Sequence, residues 1–163
     1  MFFVAFVLIA FLVFHWFNNR YEPHVQSKLS SDVDSLYYSG LDDFFDISST
    51  SQSCGGASKW NFLNDRVCFV TRYLRKPVEG TEEEVRSSLT QVQAILEQQG
   101  MDMSIPLTID FNATRGYAIS MHMRSRDDAC SFSAYLTSHE QKTSDPLRGT
   151  VSCRKDIPLK IFL

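Results

Sequence analysis

Asp110, Ser120 and His122 are the residues of this chain whose types fit nucleophilic hydrolysis. They alternate with apolar residues in segments 107–111 and 117–123, so two adjacent strands would carry them on one outward face. A hydrolase needs a nucleophile, a base and an orienting group. However, the sequence has no nucleophile-elbow motif and no oxyanion-hole glycine, and an open sheet face admits water. A solvated polar face explains the same residues, so we assign no catalytic residue and expect no enzyme.

Three further patterns were weighed as ligand sites. His122 and His139 lack the fixed spacing of metal ligands. Gly55 and Gly56 lack the lysine and the strand context of a phosphate loop. A basic and aromatic stretch could stack nucleic-acid bases, although strand aromatics more often belong to a core. It comprises Lys59, Trp60, Asn61, Phe62, Arg66, Phe69, Arg72 and Tyr73. The net charge of −3 gives no electrostatic reason to expect a nucleic-acid partner. Because these patterns are weak, we also expect no metal and no cofactor.

Four cysteines offer a different chemistry, disulfide formation. Cys54, Cys68, Cys130 and Cys153 allow three pairings. Cys130 alternates in phase with Phe132, and Cys153 shares a face with the apolar residue two positions before it, so a bond between Cys130 and Cys153 is predicted. Cys54 and Cys68 would form the second bond. Each bond would contribute about 3 kcal/mol and would indicate an oxidising compartment. Free buried thiols and a zinc site are the alternatives, but no Cys-x-x-Cys motif occurs.

The elements that would position these residues form an α+β domain. A helix over 82–99 is predicted, because Thr81 and Glu84 fit a capping box and Gly100 fits a helix stop. A strand is predicted before it, at 66–74. After it the apolar period changes to two, which predicts an antiparallel meander covered on one face by the helix. Its strands comprise 107–111, 117–123, 130–136, a segment around Cys153, and an edge strand at 157–163.

The first fourteen residues are apolar without exception. Extended through Phe17, the run would give a helix of ~25 Å, at the short end of a membrane span. Trp16 falls where an aromatic ring suits the headgroup level. We therefore predict a transmembrane anchor over 1–19 that contacts the membrane through residues 1–17. A cleaved signal peptide or a buried core helix are the alternatives.

Three further segments follow the predicted anchor. Apolar residues at helical spacing, with Pro23 in the first turn, predict an amphipathic juxtamembrane helix over 20–46 that packs on its own domain. Segment 47–58 is rich in Ser and Gly and is interpreted as a linker. Residues 59–163 form the predicted disulfide-bonded domain, with a long connection at 138–149. Asn112 opens a glycosylation sequon in a predicted turn.

These features predict a non-enzymatic, single-pass membrane protein that presents an extracytoplasmic domain for protein–protein or envelope interaction. Its expected partner is another protein or a further copy in an oligomer. One alternative is an assembly subunit of a filament or secretion system. The chain resembles type IV pilin-like proteins in its apolar first helix, in Pro23, and in the amphipathic continuation before a cysteine-containing sheet. Ala5 stands where such subunits usually carry an acidic residue. The resemblance implies that the first helix packs in a filament core. A membrane-tethered hydrolase is the third hypothesis.

Overall fold

A computed structural model describes residues 2–16, 21–56, 66–77, 82–112, 116–137 and 147–157. The helices are α1 (Phe2–Trp16), α2 (Glu22–Leu36) and α3 (Glu82–Gln98), and a π-helical turn at Tyr37–Leu41 extends α2. The strands are β1 (Asp46–Gly56), β2 (Arg66–Lys76), β3 (Met101–Asn112), β4 (Gly116–Ser125), β5 (Cys130–Thr137) and β6 (Leu147–Ile157). The predicted α+β class is confirmed.

The strands form one six-stranded antiparallel sheet in the order β1-β2-β6-β5-β4-β3. The predicted meander is present as β3 to β6. Its last strand, β6, then pairs with β2 over eleven residue pairs, from Arg66 opposite Ile157 to Lys76 opposite Leu147. Strand β6 is therefore central. The edge strand predicted at 157–163 lies outside the described residues apart from Ile157, which ends β6.

Helices α2 and α3 pack on the same face of the sheet. Helix α2 lies mainly on β2 and β6, whereas α3 lies on β3 and on the π-helical turn. Val25, Leu29 and Val33 are the buried side of α2, which confirms that this amphipathic helix packs on its own domain. Apolar side chains of the central strands complete the core. They include Val70, Leu74, Met121, Met123, Phe132, Ala134 and Val151.

The amphipathic helix predicted over 20–46 is interrupted earlier than expected. Its regular part ends at Leu36, and Gly40 in the following turn has a φ of 129°, which no helix contains. The buried Tyr37 hydroxyl donates a hydrogen bond of 2.6 Å to the Phe45 carbonyl and fixes the chain beyond this turn. The apolar spacing continues through the turn, so periodicity alone does not reveal the break.

The predicted linker over 47–58 is wrong for its described part, because residues 46–56 form strand β1. Serines and glycines have low strand propensity, but pairing with β2 overrides that preference. Cys54 lies directly opposite Cys68 in this pairing, and the two form a disulfide. Tertiary pairing and a covalent bond therefore impose a strand on a sequence typical of a loop.

Both predicted disulfides are present. Cys54 is bonded to Cys68, and Cys130 is bonded to Cys153, its direct neighbour across β5 and β6. Cys68 and Cys153 are fully buried on the helix-covered face, and the alternation with apolar residues predicted this position for Cys153. The described residues contain no free cysteine.

Helix α3 confirms the prediction over 82–99 to within one residue. Leu89, Val92 and Leu96 are its buried face, and Gly100 ends it with a φ of 79°. Thr81 of the predicted capping box lies outside the described residues. The predicted connection at 138–149 is shorter at its end, since β6 begins at Leu147.

Helix α1 stands apart from this core as an apolar helix with an exposed surface. Its described side chains from Val4 to Val13 are all exposed, including Phe6 at 71%. Its fifteen residues measure ~22 Å, against ~30 Å for a hydrocarbon core. Among the described residues, no helix has both the length and the apolar character needed to cross a bilayer. The transmembrane span predicted over 1–19 is therefore not supported.

Candidate binding site on the open face of the sheet

The face of the sheet that points away from α2 and α3 is termed the open face. Its side chains come from the strand positions that alternate with the buried ones, for example His122 between Met121 and Met123. Phe69, Tyr73 and Tyr135 are 37%, 42% and 42% exposed on this face. Large aromatic side chains that remain accessible on an open sheet are candidates for contacts with another molecule.

Hydroxyl groups occupy the centre of the open face. The Thr71 and Ser152 hydroxyls lie 2.8 Å apart across β2 and β6. The same row continues on β5 with Ser131, which pairs with Ser152. In a neighbouring row, Ser133 pairs with Thr150. These side chains are short and neutral, whereas the aromatic and basic side chains elsewhere on the open face are longer.

A groove of about 410 Å³ lies at one end of the open face. It is lined by Ser48, Ser49, Tyr73, Leu74, Arg75, Tyr135, Arg148 and Gly149. Strand β1 has a bulge here, between Ile47 and Ser49, and the Ser48 hydroxyl donates to the Tyr73 carbonyl at 3.0 Å. A bulge at a sheet edge redirects side chains. The groove therefore combines hydroxyl, phenol and guanidinium donors.

Two arginines face each other across this groove. Arg75 in β2 is the direct partner of Arg148 in β6, and both are exposed. Like charges directly opposite each other destabilise a sheet. Asp46 pairs with Arg75 in the register on its other side, but neither arginine has a carboxylate within ion-pair distance among the described residues. Among the described residues, the pair is therefore a positive site without an ion-pair partner.

The residues predicted as a possible hydrolase site are not assembled by the described contacts. His122 Nδ1 lies 2.6 Å from the Ser133 hydroxyl, and its Nε2 accepts a hydrogen bond of 3.1 Å from Arg124. Ser120 instead has its hydroxyl 2.7 Å from that of Thr108. Both imidazole nitrogens are thus engaged by groups other than Ser120.

The strand register also separates Asp110 from His122. Asp110 pairs with Ala118, which precedes His122 by four residues on β4. At about 3.3 Å per residue, that is ~13 Å along the strand. The backbone thus places these residues in different rows of the sheet.

The environment of His122 favours its neutral form. Partial burial, and after it the positive charge of Arg124, lower the pKa of His122 below the usual 6.5. Because Arg124 donates to Nε2, the proton of the neutral ring lies on Nδ1 and is donated to Ser133. We therefore interpret His122 as a member of the polar network on the open face.

The basic and aromatic stretch weighed for nucleic acid divides between two faces. Phe69 and Tyr73 lie on the open face. Arg72 is buried on the opposite face, where Nη2 lies 2.9 Å from Asp34 and 2.8 Å from the Ser30 hydroxyl of α2. Residues 59–62 lie outside the described residues. The described part of the stretch does not form one binding surface.

One group of potential metal ligands is found among the described residues. It consists of Glu22, Cys54 and Cys68. Because both sulfurs are joined in a disulfide, they do not offer thiolates to a metal ion. His139 lies outside the described residues, and the structure describes Asn112 of the sequon only as the last residue of β3.

A second cleft, of about 570 Å³, lies between the start of α2 and the β4–β5 and β6 segments. Its charged residues have both signs: Lys28, Asp32, Asp127, Asp128, Arg154, Lys155 and Asp156. This mixture favours no single ligand chemistry, in contrast to the arginine pair.

Sequence reasoning missed the arginine pair because no local signal links its members. Arg75 lies one residue beyond the predicted strand 66–74, and Arg148 lies in the predicted connection 138–149. They become neighbours only through the pairing of β2 with β6. Comparisons with protein-family models, curated proteins and solved structures find no match to this chain.

Proposed function

We propose that this protein is a non-enzymatic binding module that presents the open face of its sheet to a protein partner. The observation that carries the proposal is the juxtaposition of two exposed tyrosines, Tyr73 and Tyr135, with Arg75 and Arg148, which form no ion pair with another described residue. Tyrosine and arginine are enriched at protein interfaces and at their energetic hot spots. The helix-covered face, by contrast, is occupied by the domain's own core.

We further propose that helix α1 holds this module at a membrane. Water disfavours an exposed helix that is apolar on all sides, whereas lipid favours it. Trp16 at the end of α1 stacks on Tyr21 with ring centroids 5.9 Å apart. Such aromatic residues suit the headgroup level of a bilayer. In this proposal α1 enters the apolar layer and the domain remains in water.

Two disulfides support an extracytoplasmic position of the domain. Stable disulfides persist in oxidising compartments and are rare in the cytosol. The described cysteines are all paired. The binding module would therefore work on the outer or luminal side of its membrane.

Site-specific photo-crosslinking in native membranes tests the proposed binding face. A photoreactive phenylalanine analogue replaces Tyr73 or Tyr135 on the open face, and Gln91 or Ala94 on the exposed side of α3 serves as the control. We expect one and the same adduct from both open-face positions and none from α3. Adducts from α3 alone, or no adduct from the open face, would contradict the proposal.

Flotation with liposomes tests the membrane contact of α1. We expect the full chain to float with the lipid, and the double change Phe6→Glu and Ile9→Glu to leave most of it in the dense fraction. Two carboxylates at the centre of α1 would have to be desolvated in the apolar layer. Tyr38→Glu changes an equally exposed aromatic residue outside α1 and should still float. A wild-type chain that stays in the dense fraction would disprove the tether.

A pilin-like assembly subunit is the second candidate function. The apolar surface around all of α1 would also fit the core of a helical filament. Electron microscopy and cysteine crosslinking between α1 helices separate the two proposals. Filaments with α1–α1 crosslinks would favour the assembly subunit, and isolated domains on vesicles would favour the binding module.

A further inference from the structure

We propose that the groove between β2 and β6 binds a side-chain carboxylate of an acidic, extended segment in the partner protein, clamped between Arg75 and Arg148. This inference rests on the proposed binding function of the open face and specifies the chemistry of what it recognises.

The strand register brings the two arginine side chains close together. Directly opposed side chains on one face of an antiparallel pair have their Cβ atoms about 4.5–5.5 Å apart. Arg75 and Arg148 occupy such a position, in a row that continues to Tyr135 and Ser120 on one side and to Asp46 on the other. A negative group between the two guanidinium groups converts their repulsion into two attractive contacts.

The donor geometry favours a carboxylate in that position. A guanidinium group presents parallel N–H donors that match the two oxygens of a carboxylate. Two arginines on flexible stems can each direct one fork to the same carboxylate. The tyrosine hydroxyls of Tyr73 and Tyr135 at the groove wall can donate to the remaining lone pairs.

Accessibility favours a segment of a protein over a free ion. Both arginines are exposed, so solvent and salt screen their attraction for a single ion. A peptide adds contacts with the rings of Tyr73 and Tyr135, which are both 42% exposed. The groove is lined by residues of four neighbouring strands, β1, β2, β6 and β5, so an extended segment laid across these strands can reach both tyrosines. An isolated phosphate or carboxylate would lack these additional contacts.

Fluorescence anisotropy of the full chain in detergent tests the inference with two labelled peptides. One has the sequence Gly-Asp-Tyr-Glu-Asp-Gly, and the other replaces each acidic residue with its amide. We expect saturable binding of the acidic peptide. The amide peptide should bind with an affinity lower by about tenfold or more. Arg75→Gln and Arg148→Gln should each weaken the acidic peptide by about tenfold, and higher salt should weaken it further.

Arg126→Gln is the matched control, because Arg126 is an exposed arginine outside the groove, 3.5 Å from Asp102. It should retain wild-type affinity. Equal affinity for both peptides, or an equal loss in Arg126→Gln, would overturn the inference. So would inorganic phosphate that competes at the concentration of the peptide, or binding explained by self-association in analytical ultracentrifugation.

The thermal midpoint of unfolding gives a second measurement that does not require a correct choice of peptide sequence. Arg148→Gln without ligand should unfold at the same temperature as wild type or at a higher one, because a repulsion is removed. A large decrease would mean that the arginine pair is structural and would overturn the inference.

Failure here is distinguishable from failure of the proposed function. If Tyr73 and Tyr135 crosslink to one partner and Arg75→Gln with Arg148→Gln does not change that adduct, the binding face stands and the carboxylate clamp is wrong. If the open-face positions give no adduct, the binding function itself is wrong.

Discussion

Arg72 is the residue that links the sheet to helix α2 by charge. Its guanidinium donates to Asp34 through Nε at 3.0 Å, with Nη2 2.9 Å from the same oxygen and 2.8 Å from Ser30. The Arg72 side chain is 11% exposed and that of Asp34 is 38% exposed. This pair joins an acidic residue of α2 to a basic residue of β2. The sequence could not identify the partner of Arg72, because Asp32 and Asp34 are the same type of residue and differ only in the face of α2 on which they lie.

Removal of the Asp34 carboxylate should destabilise the fold. Asp34→Ala leaves Arg72 with one hydroxyl partner in a mostly buried position, and we expect a loss of about 1–3 kcal/mol in the free energy of unfolding. Asp32→Ala is the matched control on the exposed side of the same helix, with a change within about 0.5 kcal/mol. Urea unfolding without reductant measures both. Equal effects of the two changes would show that the ion pair contributes nothing specific.

His122 should make stability depend on pH. Its folded-state pKa lies below the usual 6.5, mainly through burial and then through Arg124. The unfolded chain therefore binds more protons than the folded chain near and below that pH, so stability falls as the pH drops below about 6.5 and levels off once the folded form is also protonated. Stability from this group is fully present above that value.

Nitrogen-detected NMR titration of His122 measures this pKa directly. Arg124→Gln should raise the pKa of His122, because it removes a nearby positive charge. His122→Gln should remove this component of the pH dependence of unfolding. A pKa of His122 above 6.5 in the wild-type chain would contradict the described environment.

At the scale of elements, local signals predicted α3 well and β1 poorly. Helix α3 begins in an acidic cluster and ends before Gly100, and both signals lie within the element itself. Strand β1 is typical of a loop in composition and exists because β2 and a disulfide impose it. The end of α2 is intermediate, since the apolar spacing continues through the following turn but the φ of 129° at Gly40 was not predictable. Elements defined by their own residues are therefore more predictable than elements defined by partners.

Gly40 and Gly100 form a matched pair for testing the π-helical turn. A Cβ at Gly40 would lie 3.2 Å from Ile95 Cδ1 of α3, whereas one at Gly100 would meet nothing within 4 Å. We expect Gly100→Ala to cost about 1–2 kcal/mol for its positive φ alone, and Gly40→Ala to cost more. Adding Ile95→Val to Gly40→Ala should recover part of the difference in urea unfolding. A smaller loss for Gly40→Ala than for Gly100→Ala would contradict the close approach.

At the scale of the whole molecule, two covalent bonds reinforce the two halves of one sheet. One joins β1 to β2 and the other joins β5 to β6. The bond between Cys130 and Cys153 was predictable because both cysteines alternate in phase with apolar residues, and the bond between Cys54 and Cys68 followed by elimination. The order of the strands was not, because β2 and β6 are distant in sequence and no local pattern encodes their contact. The arginine pair depends on that contact and was missed for the same reason.

Removal of either disulfide should destabilise the domain. The bonds close loops with sequence separations of 14 and 23 residues. We consider two double variants, in each of which both cysteines of one pair are changed to alanine. Each should lower the free energy of unfolding by about 2–4 kcal/mol, chiefly because the unfolded chain gains conformational entropy. Peptide mapping by mass spectrometry without reduction should recover the links 54–68 and 130–153. A peptide joining Cys54 to Cys130 would refute the strand register.

Strand β6 enters the sheet between β2 and β5, although it is the last strand to be synthesised among those described. A nascent chain that has just left the ribosome through β5 therefore holds a hairpin and a partial meander with two unpaired edges facing each other. Contacts between segments so distant in sequence form late in folding. The domain consequently remains an incomplete sheet until β6 has been synthesised and has paired with both β2 and β5.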